Sequence, residues 1–433
     1  MKSFESLLNE FNSLPSGNIY EKKIKGKIYY YYQYSENGKK LTRYVSNDGL
    51  DSLREKINRR KELDIEIKRQ LKATHHAFSL SKSTREYTGY VMSKDKVVAE
   101  FDKGQLIYIN EELAPLSIKR TRSLTPFLKS RVIDVSRTNA RLLKKAMNIK
   151  ENDDELLSLC SYAASISDDY WFRPKKSKLH YKDISFTSDL FFDVSLKGIL
   201  SFYPHKVSPT PELTTGGSFE KGWRNINGEW WLYKVGTKNE LFSELFYATL
   251  MELINVPTAH YELDEGFIRT KNFASEYNYE PLASIMGDNE DYLDVFNCLN
   301  NLDPNIAKQY LVLIYYDALL NNIDRHNENC GFLRDKKTGK IISLAPNFDD
   351  NLCLISRSDK LDYSKKEGFL SYFISFIRKC DLARSYLKEA NLAVIDGKIL
   401  DTCLAKIEIK VDEDNIKKFV LNRYNYLKDE IEK

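Results

Sequence analysis

The chain has few cysteines, no long hydrophobic run and no marked excess of charge of one sign. Its six cysteines are scattered without short paired spacing, which excludes a zinc knuckle and a disulfide framework. No stretch approaches the roughly 18 apolar residues that a membrane span requires, and the first residues lack the apolar core of a signal peptide. We therefore expect a protein of the reducing cytoplasm that has no membrane partner.

The charge balance does not identify a partner. There are 66 lysines and arginines and 62 acidic residues, so the formal net charge is +4. Two basic runs, at residues 54–72 and 119–131, fit a solvated helix face as well as a nucleic-acid contact, so direct nucleic-acid binding is possible but not favoured. The apolar fraction of 42% is typical of globular proteins.

The first 75 residues have the patterns of a small sheet followed by a helix. Residues 17–45 predict short strands that are broken at Gly26 and by a turn signal at residues 36–38. Leucine and isoleucine then recur at helical spacing among dense charge over residues 51–71, which predicts an amphipathic helix. Residues 74–83 resemble a linker, so we expect these first residues to form a separate module.

The rest of the chain changes from mixed structure to helix. Residues 87–109 alternate between apolar and polar side chains, which predicts a second small sheet. Strand-like and helical stretches mix over residues 151–285, and the chain is largely helical after Asp291. This order indicates an α+β protein with two lobes.

The segment between Asp324 and Asp350 is the most informative part of the chain. The apolar pattern of residues 309–320 predicts a buried helix, and polar side chains follow directly at its end, where they would be held rigidly. Asp324 and Asn329 are five residues apart in a predicted loop. One can therefore reach a substrate hydroxyl while the other turns towards a metal ion, as phosphoryl transfer requires.

A predicted hairpin returns the chain to Asn329. The apolar residues 330–333 and 341–344 predict two strands around a turn, and Asp349 follows the second strand. Mg²⁺ prefers a few hard oxygen ligands together with phosphate oxygens, so Asn329 and Asp349 are candidate metal ligands. Asp324 is then the candidate catalytic base, and ATP with Mg²⁺ is the predicted cofactor pair.

Upstream residues have the features that hold phosphates. Paired glycines among hydroxyl side chains allow backbone amides to approach phosphate groups. A strand lysine then precedes a helix that has a glutamate near its start, which is the arrangement that clamps phosphates in kinases. The candidate ATP-binding residues are Gly216, Gly217, Ser218, Lys234 and Glu244.

Residues 321–329 read NNIDRHNEN and are followed by NFD at residues 347–349. This pattern resembles the HipA-like bacterial serine/threonine kinases, whose catalytic loop reads close to NxDRHxxN, and the resemblance covers about residues 85–360. It implies Asp324 as catalytic base, Asn329 and Asp349 as metal ligands and Lys234 on the phosphates. The glycine loop departs from the family because Ser218 and Phe219 stand where the family commonly has Ala-Gln.

The resemblance also implies an architecture, a two-lobe protein-kinase-like fold with a mixed N-lobe, a helical C-lobe and an extra small N-terminal α/β module. The predicted segments are an accessory module of strand hairpins and a basic helix at residues 1–75, a HipA-like N-terminal subdomain at 85–150, a kinase N-lobe at 151–285 and a kinase C-lobe at 286–433.

The family further suggests partners and regulation. Its targets include aminoacyl-tRNA synthetases, so the resemblance implies a protein substrate such as a translation component. It also implies a toxin–antitoxin role, with an antitoxin that carries a helix-turn-helix DNA-binding domain. Self-phosphorylation of the glycine loop is known in the family. This makes Thr214, Thr215 and Ser218 candidate sites, with Thr214 at the matching position.

Two other interpretations stay open. The phosphatidylinositol-kinase superfamily also carries DRHxxN and a later aromatic-aspartate motif, which would make the protein a lipid or small-molecule kinase. The segment after Asp349 is short and mixed in charge, which favours protein substrates. A non-catalytic nucleotide-binding or DNA-associated regulator is the second alternative. Degenerate kinases tend to lack at least one of Asp324, Asn329 and Asp349, whereas this chain has all three.

Overall fold

The structure is a computed structural model whose described residues fall into two compact units. The residues that it does not describe are 1–6, 8, 9, 12, 25, 37, 38, 75–86, 138, 147, 148, 150–152, 199–209, 359, 363 and 365–367. One unit comprises Met1–Ser79, Arg141–Lys150 and Asp193–Ser208. The other comprises Leu80–Ala140, Glu151–Phe192 and Pro209–Lys433. Nearly all of the predicted linker at 74–83 lies outside the described residues.

The N-terminal module is a three-stranded antiparallel sheet with a helix on one face. Its elements are β1 (Gly17–Ile24), β2 (Lys27–Glu36), β3 (Lys39–Val45) and α1 (Asn47–Thr74). Alternate strand residues point to opposite faces of a sheet, and Tyr32 and Val45 pack against Leu50 and Ile57 of α1. The predicted strands and helix are confirmed, while two of the three predicted turn residues lie outside the described residues.

The described strands of the second unit form three antiparallel sheets, in the orders β6-β5-β4-β7, β10-β11-β9-β8 and β12-β13-β14. Their bounds are β4 (Gly89–Ser93), β5 (Lys96–Asp102), β6 (Gln105–Ile109), β7 (Tyr170–Pro174), β8 (Lys221–Ile226), β9 (Glu229–Lys234), β10 (Tyr261–Asp264), β11 (Phe267–Lys271), β12 (Tyr277–Pro281), β13 (Gly331–Asp335) and β14 (Ile341–Leu344). The predicted sheet at residues 87–109 is confirmed, and β7 adds a strand that the pattern did not predict.

Helices dominate the C-terminal part of the chain, as predicted. The α-helices after α1 are α2 (Leu116–Thr121), α3 (Thr125–Lys129), α4 (Ala140–Ala146), α5 (Asp154–Leu159), α6 (Tyr181–Ile184), α7 (Phe192–Lys197), α8 (Lys238–Leu253), α9 (Ala283–Met286), α10 (Tyr292–Leu302), α11 (Pro304–Leu320), α12 (Phe369–Lys379), α13 (Asp381–Glu389), α14 (Gly397–Leu404) and α15 (Glu413–Glu432). Short 3₁₀ turns span Pro211–Thr214 and Leu354–Arg357. None of the described helices has the length and apolarity needed to cross a bilayer.

Helix α11 is the core helix that leads to the polar segment. At its start Asp303 accepts a hydrogen bond from the backbone N–H of Asn305 at 2.7 Å, and Pro304 occupies the first turn. Its residues Ile314 and Leu319 are buried in the largest hydrophobic cluster, where each contributes roughly 1.5–3 kcal/mol. The helix ends at Leu320 and is capped by Asn321, whose φ of 56° is left-handed. The loop after Asn321 therefore starts from a fixed point in the core, as predicted.

Candidate active site

Arg325, to which the sequence reasoning gave no role, fixes the loop that carries the candidate catalytic residues. Its guanidinium donates to both carboxylate oxygens of Asp317 on α11, at 2.8 and 3.1 Å, and to Asp350 Oδ1 at 2.5 Å. All three side chains are buried. The same guanidinium donates to the backbone oxygens of Asn329, at 2.5 Å, and Phe348, at 3.1 Å. The guanidinium of Arg325 thus connects α11 to the loop and to the segment around Asp349.

Asp324 and Asn329 lie in this loop. The backbone N–H of Asp324 donates to Asn322 Oδ1 at 3.1 Å, and Asn329 Nδ2 donates to the backbone oxygen of Asp324 at 3.0 Å. Because the amide nitrogen of Asn329 is used inside the loop, its amide oxygen is the atom that remains for a cation. Burial raises the pKa of the Asp324 carboxyl above its usual range, which makes it a stronger base. His326 Nδ1 accepts from the backbone N–H of Glu328 at 3.2 Å, so it braces the loop.

Lys234, Glu244 and Asp349 form an ion cluster in which Lys234 and Glu244 are buried and Asp349 is half-buried. Lys234 ends β9, and its Nζ lies 2.6 Å from Glu244 Oε1 and 2.7 Å from Asp349 Oδ1. Burial alone would lower the pKa of Lys234, but the carboxylates of Asp349 and Glu244 raise it well above its usual value. Burial alone would also raise the pKa of Asp349, but Lys234 and Lys221 bring it below the usual range. The lysine is therefore a cation and Asp349 an anion at neutral pH.

Local sequence determines where Glu244 stands. Helix α8 begins with a reciprocal cap, in which Thr237 Oγ1 accepts from the backbone N–H of Glu240 at 3.3 Å. Glu240 Oε2 in turn accepts from the backbone N–H of Thr237 at 2.8 Å. This capping box fixes the first turn of the helix. Glu244 follows one turn later, fully buried, in reach of Lys234.

The backbone at Asp349 is held in an uncommon conformation. Its φ is 63°, in the left-handed region, which costs a non-glycine residue about 1–2 kcal/mol. The hydroxyl of Tyr261 accepts from the backbone N–H of Asp349 at 3.2 Å and also lies 3.5 Å from Lys234 Nζ. The ion pair with Lys234 and the hydrogen bond from the backbone N–H to Tyr261 together hold Asp349 in this conformation. Such strained and firmly held residues are typical of functional sites.

The glycine loop packs against a second lysine that sequence reasoning did not assign to the site. Gly217 has a φ of 89°, a conformation that L side chains rarely adopt, and Lys221 Nζ lies against the place that a Cβ atom would occupy, so glycine is favoured here. Lys221 stands opposite Lys234 in the pairing of β8 with β9, and it is buried. Burial lowers the pKa of Lys221 to about 8, against the opposing effect of Asp349. Its signal in the sequence is its place on the strand directly after the glycine loop.

The hydroxyl groups of Thr214, Thr215 and Ser218 in the glycine loop differ in how accessible they are to solvent. Thr214 Oγ1 and Thr215 Oγ1 both donate to the backbone oxygen of Pro211, at 3.3 and 2.7 Å. Thr215 Oγ1 also accepts from Trp223 Nε1 at 2.9 Å. Ser218, in contrast, is exposed. In this conformation the loop therefore offers only the serine hydroxyl freely to solvent.

These residues surround one cavity of about 640 Å³, a size typical of small-molecule sites. Phe273, Tyr279 and Phe348 form an aromatic wall, with Phe348 ring centroids 5.3 and 5.6 Å from the other two. The site residues that line the cavity are Gly216, Gly217, Ser218, Lys221, Lys234, Asp324, Asn329 and Asp349. Glu244 does not line it and lies behind Lys234.

The oxygen atoms that could bind a metal ion in this cavity are of the kind that Mg²⁺ prefers. No group of three or more His, Cys, Asp or Glu side chains in the described part of the chain is arranged to hold a metal ion. Asp349 and Asn329 supply one ionised carboxylate and one amide oxygen on the same cavity. Mg²⁺ is usually bound by one or two carboxylates together with substrate phosphates and water, so this pair fits Mg²⁺ bound with a nucleotide.

The chain is similar to a family model at its N-terminus and to solved structures over larger parts of its length. Residues 3–55 match the family model of a domain of unknown function, DUF6788. No curated protein matches the chain. The structure of the Helicobacter pylori proinflammatory kinase CtkA is similar at 18% identity with a TM-score of 0.40, over 50% of this chain and 91% of that one.

A second similar structure is a chain of the Shewanella oneidensis MR-1 toxin–antitoxin complex of HipA, HipB and operator DNA. It is 14% identical, with a TM-score of 0.47, over 80% of this chain and 97% of that one. Both TM-scores are below 0.5, so the function must rest on the side chains of the site.

Proposed function

We propose that the protein is an ATP- and Mg²⁺-dependent serine/threonine protein kinase of HipA-like type. The observation that carries the proposal is the ion cluster of Lys234, Glu244 and Asp349 beside the cavity that Asp324 and Asn329 also line. Protein kinases need a strand lysine paired with a helix glutamate, an aspartate and an asparagine for the metal, and an aspartate base. A structural ion pair would not need the other two side chains at the same cavity.

Each residue then has a defined role. Lys234, held by Glu244, would bind ATP phosphates, and Lys221 and the backbone amides of the glycine loop would add contacts to them. Asp349 and Asn329 would hold Mg²⁺, which neutralises phosphate charge when it is bound. Asp324 would accept the proton of the substrate hydroxyl, helped by its raised pKa.

The direct test is incubation of the full-length chain with radiolabelled ATP, Mg²⁺ and a protein substrate mixture, with ATP binding followed by calorimetry. We expect Mg²⁺-dependent binding of ATP and transfer of label to serine or threonine, and we expect a chelator to abolish the transfer. A chain that binds no nucleotide, or one that labels lipid and no protein, would contradict the proposal.

Replacing Asp349 with asparagine is expected to weaken the Mg²⁺-dependent part of ATP affinity by at least about tenfold, since it removes the charged metal ligand. Calorimetric titration with ATP in the presence of Mg²⁺ or a chelator measures this part. The matched control is Glu276→Gln, which removes one charge from an exposed residue outside the cavity. Equal Mg·ATP affinity in the wild type and Asp349→Asn would exclude Asp349 as a metal ligand.

We also propose that the glycine loop is a site of self-phosphorylation. A phosphate there carries about −1.5 to −2 charges at pH 7, so it would repel the phosphates of ATP and inactivate the enzyme. After incubation with Mg·ATP, mass spectrometry should find the tryptic peptide that ends at Lys221 phosphorylated in the wild type and unmodified in Asp324→Asn.

The position of the phosphate distinguishes two states of the loop. Phosphate on Ser218 fits the exposed serine of the present conformation. Phosphate on Thr214 or Thr215 requires the 3₁₀ turn to open first, because both hydroxyls donate to Pro211. An unmodified peptide in an enzyme that phosphorylates other proteins would rule the mechanism out.

A further inference from the structure

The sheet of the N-terminal module has a face opposite α1 that carries a band of tyrosines. Strand register places Tyr20, Tyr31 and Tyr44 side by side across the three strands, and Tyr29 is two residues before Tyr31 on the same face. Ring centroids are 5.6 Å apart for Tyr20 and Tyr31 and 5.9 Å apart for Tyr31 and Tyr44. Tyr20 and Tyr44 are 41% and 57% exposed. We call this surface the tyrosine face.

The tyrosine face is basic and polar around these rings. Lys22, Lys27 and Lys40 lie on it and are exposed, and Asn18, Gln33 and Thr42 are its exposed hydrogen-bonding side chains. Among the described residues of the three strands, no aspartate or glutamate stands at the alternating positions of this face. Glu21 points to the other face, where its carboxylate lies 3.8 Å from Arg54 of α1. The face therefore has positive charge that no acidic residue of the same face offsets.

The fold of the module does not explain these tyrosines. Tyr32 and Val45 on the opposite face pack against Leu50 and Ile57 of α1 and form the core of the module. The rings of the tyrosine face take no part in that core, and two of them keep about half of their surface in water. An exposed aromatic surface with a polar rim marks an interaction site.

We propose that the tyrosine face binds single-stranded nucleic acid. Unpaired bases stack on exposed aromatic rings, while lysines neutralise backbone phosphates and amide side chains bond base edges. A duplex keeps its base faces stacked inside the helix, so aromatic rings would gain little from it. Single-stranded nucleic acid would use the positive charge, the aromatic rings and the amide side chains of the tyrosine face together. The surface lies within residues 3–55, which match a family model without an assigned function.

The test measures binding of the full-length chain to labelled oligonucleotides of about 12 nucleotides by fluorescence anisotropy, with RNA, single-stranded DNA and the same DNA as a duplex. We expect at least one single strand to bind about tenfold or more tighter than the duplex. The double variant Tyr20→Ala with Tyr44→Ala should weaken binding at least about fivefold, because stacking is lost. The double Tyr→Phe variant should retain affinity. Both side chains are exposed, and circular dichroism checks that the variants fold.

Lysine variants separate specific contacts from general charge. Lys27→Gln with Lys40→Gln should reduce the slope of log affinity against log salt by about 0.7 for each phosphate that the protein no longer neutralises. Lys56→Gln with Lys61→Gln removes equal charge from exposed positions of α1 and should leave the slope unchanged. The proposal is overturned by absence of binding at low salt, by binding that the double alanine variant retains, or by preference for the duplex. None of these results depends on kinase activity.

Discussion

Asp324→Asn is expected to lower the rate of phosphoryl transfer by about 10²- to 10⁴-fold, while Mg·ATP affinity changes little. The substitution keeps the shape of the side chain and removes its ability to accept a proton. Lys234 bonds Glu244 and Asp349 rather than Asp324, so the nucleotide contacts should survive. Single-turnover transfer of label from ATP, with calorimetry of Mg·ATP binding, measures the two effects separately.

The pH dependence provides a second readout of the same residue. Burial raises the pKa of Asp324, and the charge of Asp349 adds to the effect. A base acts only when it is deprotonated, so the wild-type rate should fall as pH drops through this raised value, above the value of about 3.9 for an ordinary aspartate. The control Glu276→Gln should show the wild-type rate and pH profile. Transfer by Asp324→Asn at a wild-type rate would remove Asp324 from the mechanism.

Arg325→Met is expected to lower the free energy of unfolding by about 3–5 kcal/mol. The change leaves the buried carboxylates of Asp317 and Asp350 without the cation that pairs with both of them. A buried charge without compensation is costly because water no longer solvates it. Urea unfolding followed by circular dichroism measures the loss as a shift in the unfolding midpoint.

A matched surface variant and a rescue make this test specific. Arg122→Met removes an exposed guanidinium that is 3.9 Å from Glu111, and it should cost less than about 1 kcal/mol. Adding Asp317→Asn and Asp350→Asn to Arg325→Met should recover part of the stability, since neither of these two positions then holds an unpaired carboxylate. Equal unfolding midpoints for Arg325→Met and Arg122→Met would show that the cluster does not stabilise the fold.

The parts of the site that sequence reasoning identified are those with a local signature. Lys234 stands in a short apolar strand, Glu244 in the second turn of a capped helix, and Asp349 just after a hairpin. Each can be placed on its element from neighbouring residues alone. The pairing of all three depends on the fold, and the structure brings them within hydrogen-bond distance.

The parts that sequence reasoning missed depend on contacts between distant segments. Strand β7 pairs with β4, about 80 residues earlier, and no short-range pattern records that partner. The partners of Arg325 lie 8 and 25 residues away on different elements, so a charged residue in a loop gave no sign of being buried. Tyr261 reaches Asp349 through its hydroxyl across 88 residues.

The tyrosine run of β2 shows a different limit of prediction from the sequence. Residues 29–32 are all tyrosine, so alternation cannot say which two face the helix and which two face solvent. The register with β1 and β3 determines which tyrosines face the helix, and it places Tyr30 and Tyr32 towards α1. The aromatic surface opposite α1 becomes visible only when that register is known.

The contact between Lys234 and Asp349 sets the charge of the candidate metal ligand. The ammonium group at 2.7 Å keeps the carboxylate ionised, although the carboxylate is half-buried and partial burial would otherwise favour its protonated form. If the site takes Mg²⁺, as proposed above, the ion would meet a carboxylate that has already lost its proton, and binding would release no proton from Asp349. Lys234 is thus a counter-ion, built into the fold, that keeps the negative charge of Asp349 in place.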